Sequence, residues 1–339
     1  MDDPGPDEIV VAVAGVGFCH TDLLPRTASI PLPLVCGHEG AGVVTKTGSA
    51  VTDIAVGDHV VLSFDWCGEC RSCLVGRPAS CTTFFARNMS GRTADGRTNA
   101  RDFAGKAVSA RWFGQSSFAD VAVAPARSAI KVDHDLPLEL LGPLGCGFQT
   151  GAGAIFNSLA VQHSSSIVIV GAGAVGLSAI LAAAIAGAET IVAVDLNRSR
   201  LALASECGAT HVLDGIAHDH GAHLRKVTGG ADYVLDTTGV PAVIGAAINA
   251  LSPVGVCGLV GAQQGDLCID PMQLAIGRTV KGIIEGDAVP REFVPRLLEL
   301  WRQGLFPFDQ LITKFPLVDI AEAEEAVRKG DVIKPVLIP

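Results

Sequence analysis

Positive charge is scarce in this chain, whose 25 Lys and Arg stand against 35 Asp and Glu for a formal charge of −10 over 339 residues. No stretch concentrates the basic residues that phosphate binding requires, which excludes nucleic acid as a partner. The chain also lacks internal repeats and low-complexity tracts. It opens on Met1-Asp2-Asp3-Pro4-Gly5-Pro6, acidic and polar, where a secretory signal would be basic and then apolar. Charge is missing altogether from Ile167 to Ala188, twenty-two residues that would pass a length test for a membrane span. Glycines and a β-branched run inside that stretch favour another reading. Ile167–Val170 is a buried strand, a glycine turn follows, and Leu177–Leu181 begins a helix. A soluble cytoplasmic protein is therefore expected.

What is present is apolar and rich in glycine, 49% hydrophobic residues with 39 Gly, which suggests an α/β protein with many tight turns. The length exceeds one ordinary core, so two domains are expected. The first 150 residues hold short alternating runs such as Gly42–Lys46 and His59–Ser63, the pattern of a compact β domain. A polar stretch from Asn88 to Arg111 reads as a long exposed loop. After Gln149 the texture changes to apolar strands (Ile167–Val170, Thr190–Val194, Tyr233–Asp236, Val256–Val260) alternating with helical segments such as Ser199–Glu206 and Val243–Leu251. Such alternation builds a parallel sheet covered on both faces. A further helix is expected over Phe293–Trp301 and a last strand over Pro335–Ile338.

The ten cysteines divide into a quartet and six isolated residues. Cys67, Cys70, Cys73 and Cys81 lie within fifteen residues, and short C-x2-C steps let one turn of backbone present successive sulfurs to one point. Zinc is the favoured occupant of such a quartet. Disulfides are the rival, but cysteines two residues apart rarely bridge comfortably, and metal-free reduced thiols are the other alternative. A four-thiolate site has no open coordination position, so it predicts a braced loop and no catalysis. The isolated cysteines Cys36, Cys207, Cys257 and Cys268 read as core.

Gly171-Ala172-Gly173-Ala174-Val175-Gly176 follows a strand and opens a helix, the context that a dinucleotide fingerprint requires. Asp195 closes the next strand nineteen residues after Gly176, where a carboxylate accepts bonds from ribose hydroxyls and repels a 2′-phosphate. NAD is thus favoured over NADP, although Arg198 and Arg200 lie close enough to offer cationic partners. Cys19, His38 and Cys146, far apart in sequence, are three potential zinc ligands. Two thiolates and an imidazole leave one position on zinc for water or an alcohol oxygen, the mark of a catalytic site.

At this point the sequence resembles the zinc-containing medium-chain alcohol dehydrogenases. The likeness covers nearly the whole chain: both cysteine sites, Gly37-His38-Glu39-Gly40, Gly57-Asp58-His59-Val60, the glycine fingerprint and Gly330-Asp331-Val332-Ile333-Lys334. Within that family it is most similar to the aryl-alcohol (benzyl alcohol) dehydrogenases and their terpene-alcohol relatives. Phe113-Gly114-Gln115-Ser116-Ser117-Phe118-Ala119, Leu140 through Gly151, Gly282 through Asp287 and Gly304 through Asp309 carry this finer likeness.

The resemblance implies an α/β fold made of a GroES-like β-rich catalytic domain, residues 1–148 and 290–339, and a Rossmann doubly wound cofactor domain, residues 149–289, with the cleft at their junction. It implies two zinc ions and NAD, a homo-oligomer (dimer or tetramer), and conversion of a primary aromatic or allylic alcohol to its aldehyde by hydride transfer. Thr21 would take the alcohol proton and Asp22 would orient His38. Glu39 would be either a group behind the ligands or a transient ligand. His20 and Lys334 would meet the cofactor pyrophosphate, while Thr150 and Val175 would pack against the nicotinamide. Phe64, Trp66, Phe113 and Phe118 are either apolar lining of the cleft or ordinary packing aromatics.

The chain departs from the family pattern in two places. The histidine that completes the proton relay in animal-type members is replaced by Leu24, as in the aryl-alcohol subgroup, so the proton is expected to leave by ribose hydroxyls and water. Family members carry about twenty further residues before Pro4, strands of the catalytic domain's sheet, so a sheet edge is expected to lie uncovered and upstream residues to raise the melting temperature. Two other functions stay open: an aliphatic or polyol dehydrogenase with the same zinc site, and a non-catalytic, truncated NAD- or zinc-binding relative.

Overall fold

The computed structural model describes residues 3–28, 30–215 and 220–339. Two compact units emerge: Met1–Gln149 with Val289–Arg302 and Pro307–Pro339, and Thr150–Ala288 with Gln303–Phe306.

The first unit is built on a largely antiparallel sheet whose strands run, side by side, Ile312–Pro316, Lys334–Ile338, Glu8–Gly17, Glu39–Thr47, His59–Leu62 and Ala129–Val132. Val121–Pro125 also pairs with Glu8–Gly17. Alternation along these strands buries Ile9, Val11, Val44, Val60, Leu62, Ala122, Ala124 and Leu337 in one cluster. Register does the work that matters for the site. Gly17 pairs with Glu39 on one side and with Val336 on the other. Residues distant in sequence, Cys19, His38 and Lys334, thereby come to one end of the sheet.

A second cluster of this unit gathers Phe64, Ala79, Cys81, Phe84, Trp112 and Phe113, with Trp66 and three of the quartet cysteines against it. Part of the polar stretch 88–111 is not a bare loop. Ala100–Arg101 pairs with Ala107–Val108, and Asn88, Ser109 and Arg111 are buried. Arg111 reaches Glu8 at 2.7 Å and the Val123 carbonyl at 2.8 Å, which is why so polar a segment folds back onto the sheet.

The second unit is a six-stranded parallel sheet. Numbered in chain order (Ser166–Val170, Thr190–Asp195, His211–Asp214, Ala231–Asp236, Leu251–Leu259, Thr279–Gly282), its strands lie in the order 3-2-1-4-5-6. That order belongs to the doubly wound dinucleotide fold. The chargeless stretch divides into the strand Ser166–Val170 and the helix Ala174–Ala186, and no helix among the described residues is long and apolar enough to cross a membrane. The strand expected at Val256–Val260 begins earlier, at Leu251. Cys207 and Cys257 are buried as expected, but Cys36 is only half-buried and Cys268 is exposed, since it follows the last residues of that strand in an irregular segment.

Gly176 shows what the fingerprint needs mechanically. A Cβ there would lie 1.8 Å from the Gly171 carbonyl oxygen, inside any contact distance. Gly176→Ala is therefore expected to force the first helix off its strand and to destabilise the protein by about 1–3 kcal/mol. A thermal melt that does not move would contradict this packing.

Candidate metal centres and cofactor cradle

The quartet needs only local structure. The short helix Arg71–Leu74 carries Cys73, and the turn Pro78–Ser80 delivers Cys81. All four sulfurs lie within 4.8 Å of one another. Cys67 and Cys73 are 3.8 Å apart and Cys70 and Cys73 3.5 Å, far beyond a disulfide bond. Four sulfurs at about 2.3 Å from a tetrahedral ion would stand roughly 3.8 Å apart, which the observed spacing fits. Backbone N–H groups of Cys70 and Cys67 point at the sulfurs of Cys67 and Cys81, both at 3.3 Å, as suits thiolates. The Cys70 thiol is lowered to about 5, foremost by the Thr82 backbone N–H. Cys73 is pushed up to about 12 by burial, with the neighbouring sulfurs adding to the rise. Four thiolates cannot share this space unless a cation shares it too.

The second cluster is assembled by tertiary structure. Cys19, His38, Glu39 and Cys146 bring one ligand atom each to within 4.8 Å of the others. Cys19 precedes the 3-10 helix His20–Arg26, and His38 precedes the strand Glu39–Thr47. Cys146 is set by the turn Gly142–Gly145. That turn is pressed on the sheet so closely that a Cβ on Gly142 would lie 1.9 Å from the Glu39 carbonyl oxygen. Ser63 fastens it by donating to the Gly145 carbonyl at 2.6 Å.

Asp22 settles the state of the imidazole. Its Oδ1 accepts from the Gly37 N–H and meets His38 Nδ1, both at 2.9 Å. A proton donated from Nδ1 to Asp22 would leave the Nε2 lone pair for a metal. Nε2 is buried with no hydrogen-bond partner among the described residues, and a buried acceptor without a partner fits a metal. The Cys19 thiol is held well below its usual value, foremost by its hydrogen bond with the Cys146 sulfur, with the charges of His38 and Lys334 contributing against burial. Phe113 stacks on the His38 ring at 4.4 Å between centroids.

Glu39 and Lys334 form an ion pair behind the ligands. Lys334 Nζ lies 2.9 and 2.8 Å from the two Glu39 oxygens and donates to the Phe18 carbonyl at 3.1 Å. Glu39 Oε1 also accepts from the Gly147 N–H at 3.1 Å. Burial raises the Glu39 carboxyl against the pull of Lys334. Burial would lower Lys334, but Glu39 and Cys19 outweigh it and hold the ammonium well above its ordinary value. The three protons of Lys334 are thus committed inside the first unit. It serves as the buried counter-ion of Glu39.

Of the other expected residues, Thr21 is half-buried two positions beyond Cys19, and His20 is exposed. Phe64 and Phe113 are buried and packed in the aromatic cluster beside the quartet, while Phe118 stacks on Phe18 at 6.2 Å. Gln115 and Ser63 were missed by sequence reasoning. Their role is visible only as hydrogen bonds to ligand-bearing segments, and a Gln in a polar string gives no signal of that.

In the second unit the fingerprint turn behaves as a dinucleotide cradle. Gly171 takes φ +94°, and at Gly173 a Cβ would meet nothing within 4 Å, so the backbone there lies open to a ligand. The helix Ala174–Ala186 begins without a side-chain cap, leaving amide protons for an anion. Asp195 ends the second strand and is fixed by the Ala172 and Asn197 N–H groups at 2.7 and 2.8 Å. Val175 is half-buried in the first turn of the helix Ala174–Ala186, and Arg200 is half-buried in the helix Arg198–Glu206. Thr150 is buried with its hydroxyl 3.5 Å from Glu285.

Two families of sequence match: alcohol dehydrogenase GroES-like domain over residues 5–134 and zinc-binding dehydrogenase over residues 174–302. The chain is 47% identical over 341 residues to geraniol dehydrogenase of Castellaniella defragrans, covering 99% of this chain and 91% of that one. Among solved structures, an alcohol dehydrogenase zinc-binding domain protein from Burkholderia ambifaria superposes with a TM-score of 0.96 at 50% identity, over 99% and 93% of the two chains. Benzyl alcohol dehydrogenase from Acinetobacter calcoaceticus gives 0.95 at 44% identity, over 100% and 93%. The chain belongs to the zinc-binding alcohol dehydrogenase family, and it is an alcohol oxidoreductase that uses zinc and NAD.

The two sulfur sites should respond differently to loss of a ligand. Cys70→Ser is expected chiefly to lower the melting temperature. Cys146→Ser is expected to abolish turnover in a protein that still folds and binds NAD. Equal failure of both variants by unfolding would refute the division. Asp22→Asn, which removes the charge that holds Nδ1–H, is expected to cost about 10- to 100-fold in zinc affinity or kcat, read by zinc titration beside steady-state rates.

Proposed function

We propose that this enzyme interconverts a primary aromatic or allylic alcohol and its aldehyde, with NAD as hydride carrier. The single observation that carries the reading is the cluster made by the half-buried Cys19 and the buried His38 Nε2 and Cys146, a two-sulfur, one-nitrogen set whose nitrogen has no hydrogen-bond partner among the described residues. Such a set suits a zinc with one open position. When bound, zinc supplies a Lewis acid for the alcohol oxygen and NAD supplies the acceptor for hydride.

The chain's own residues do the rest. Cys19, His38 and Cys146 hold the metal, and Asp22 keeps the imidazole in the tautomer that can do so. Thr21 is assigned the hydroxyl that receives the alcohol proton, and Leu24, where other relatives have a histidine, leaves the onward route to solvent and cofactor hydroxyls. Phe113 covers one face of His38 and keeps water from it. Gly171, Gly173 and the uncapped helix end receive the pyrophosphate, and Asp195 receives the ribose hydroxyls and disfavours a 2′-phosphate. Glu39 is assigned a place behind the ligands, because Lys334 and the Gly147 N–H already engage its oxygens.

Conjugated alcohols are favoured by relatives named for geraniol and for benzyl alcohol. The physical reason is that conjugation lowers the energy of the aldehyde product. The test is a panel of benzyl alcohol, geraniol, ethanol and sorbitol, each with NAD and with NADP, on zinc-replete protein. Highest kcat/KM is expected for the first two with NAD. Preference for ethanol or sorbitol would move the assignment to an aliphatic or polyol dehydrogenase. Thr21→Ala is expected to lower kcat while leaving NAD binding unchanged.

A further inference from the structure

We propose that Gln115 is a positioning residue for the metal, holding the His38 turn in register with the Cys146 turn. The proposal rests on the reading of Cys19, His38 and Cys146 as ligands. Gln115 bonds the backbone beside the ligands, and it lies 1% exposed in the middle of the Phe113–Ser117 segment.

Its amide spans the ligand residue from both sides. Nε2 donates to the His38 carbonyl at 2.9 Å, and Oε1 accepts from the Gly40 N–H at 3.1 Å. The same Nε2 lies 3.4 Å from the Ser63 carbonyl. Ser63 in turn donates its hydroxyl to the Gly145 carbonyl, beside Cys146, and Gln149 closes the set by donating to both Ser63 Oγ and Gly145 O at 3.2 and 3.0 Å. One primary amide therefore couples the segment bearing the imidazole to the segment bearing a thiolate. Only a group with a donor and an acceptor at one end can do this, which excludes Glu, Met and Leu as equivalents.

The loop that presents Gln115 is matched to the ligand turn along its length. Ser117 N–H donates to the Gly37 carbonyl at 2.8 Å and Phe118 N–H to the Cys36 carbonyl at 3.0 Å. Ser117 Oγ caps Gln115 Oε1. A Cβ on Gly40 would lie 2.4 Å from Ser117 Oγ and 3.0 Å from Gln115 Oε1, so the two segments are packed to contact. Phe113 and Ser116 hold φ of +50° and +52°, conformations that L-residues adopt at a cost. The loop accepts that strain while placing Phe113 on the imidazole ring and Gln115 on its backbone.

The experiment uses the whole zinc-loaded protein and reads metal retention. Zinc release to excess dipicolinate is followed by elemental analysis for the wild type, Gln115→Met and Ser117→Ala, beside thermal melts and kcat. The wild type is expected to hold two zinc ions and to surrender one before the other. Gln115→Met is expected to release that one about 10- to 100-fold faster, with the other zinc retained and the protein folded. Cobalt introduced at the faster site should show altered visible bands in the variant. A wild type that holds only the quartet's zinc would overturn the underlying ligand assignment. Two zinc ions with equal release rates in wild type and variant would overturn the role of Gln115 alone. If Gln115→Met unfolds and loses both ions together, Ser117→Ala decides: faster release of one ion supports the proposal, and an unchanged rate overturns it.

Discussion

The buried ion pair of Glu39 and Lys334 is the constraint on which the catalytic face depends. Both side chains are almost wholly removed from water, at 0% and 4% exposed, and desolvating each ion costs several kcal/mol unless every lone pair and proton finds a partner. Here the two ions bond each other and one backbone group apiece, and the partners chosen are informative. Lys334 takes the carbonyl of Phe18, which precedes Cys19. Glu39 follows His38, and its Oε1 takes the amide of Gly147, which follows Cys146. The pair thus fastens the backbone beside every one of the three ligands to a single point. The Glu39 carboxylate and the sulfurs of Cys19 and Cys146 all act on this one ammonium, and with both sulfurs ionised the negative charge exceeds what it balances, an excess that a divalent cation meets.

That arrangement also gives Lys334 a structural task that its local sequence does not announce. From sequence, a cation near the chain's end in a family that binds a dinucleotide reads as a phosphate ligand. The fold adds a role as counter-ion, because Gly17 pairs with Val336 as well as with Glu39. This register carries Lys334 beneath the ligands, where it bonds the Glu39 carboxylate. Sheet register is a tertiary property, and nothing in the local string Gly330–Lys334 encodes it.

The legible parts of the sequence are those whose physics is local. The quartet could be read because its sulfurs are set by turns within fifteen residues, and the fingerprint because a strand, a glycine turn and a helix must follow in order. The parallel strands could be read from composition, since a strand buried on both faces shows as a continuous apolar run. Cys19, His38 and Cys146 became a site only through resemblance, as their meeting depends on strand pairing and on the contact of Gly142 with Glu39. The polar stretch 88–111 was misread for the same reason: Arg111 looks like solvent-facing charge until Glu8, over a hundred positions away, is seen beside it.

The structure also qualifies the separation between a bracing site and a reacting site. Phe64, Phe84 and Phe113 form a chain of ring contacts, 5.6 Å between the first two and 6.3 Å between the last two, and Phe113 stacks on His38. Phe84 lies three residues beyond Cys81 and its backbone N–H bonds the Cys81 carbonyl at 3.0 Å. The quartet lobe therefore supports one face of the imidazole through packed rings, while Asp22, Gln115 and the Glu39–Lys334 pair hold its nitrogen and backbone through hydrogen bonds. Dispersion contacts of this kind are short-ranged, so displacement of the lobe by an ångström or so weakens the stack without breaking a polar bond. A closed metal site can thus matter to an open one without any charge or ligand in common, because His38 is oriented by packing on one side and by hydrogen bonds on the others.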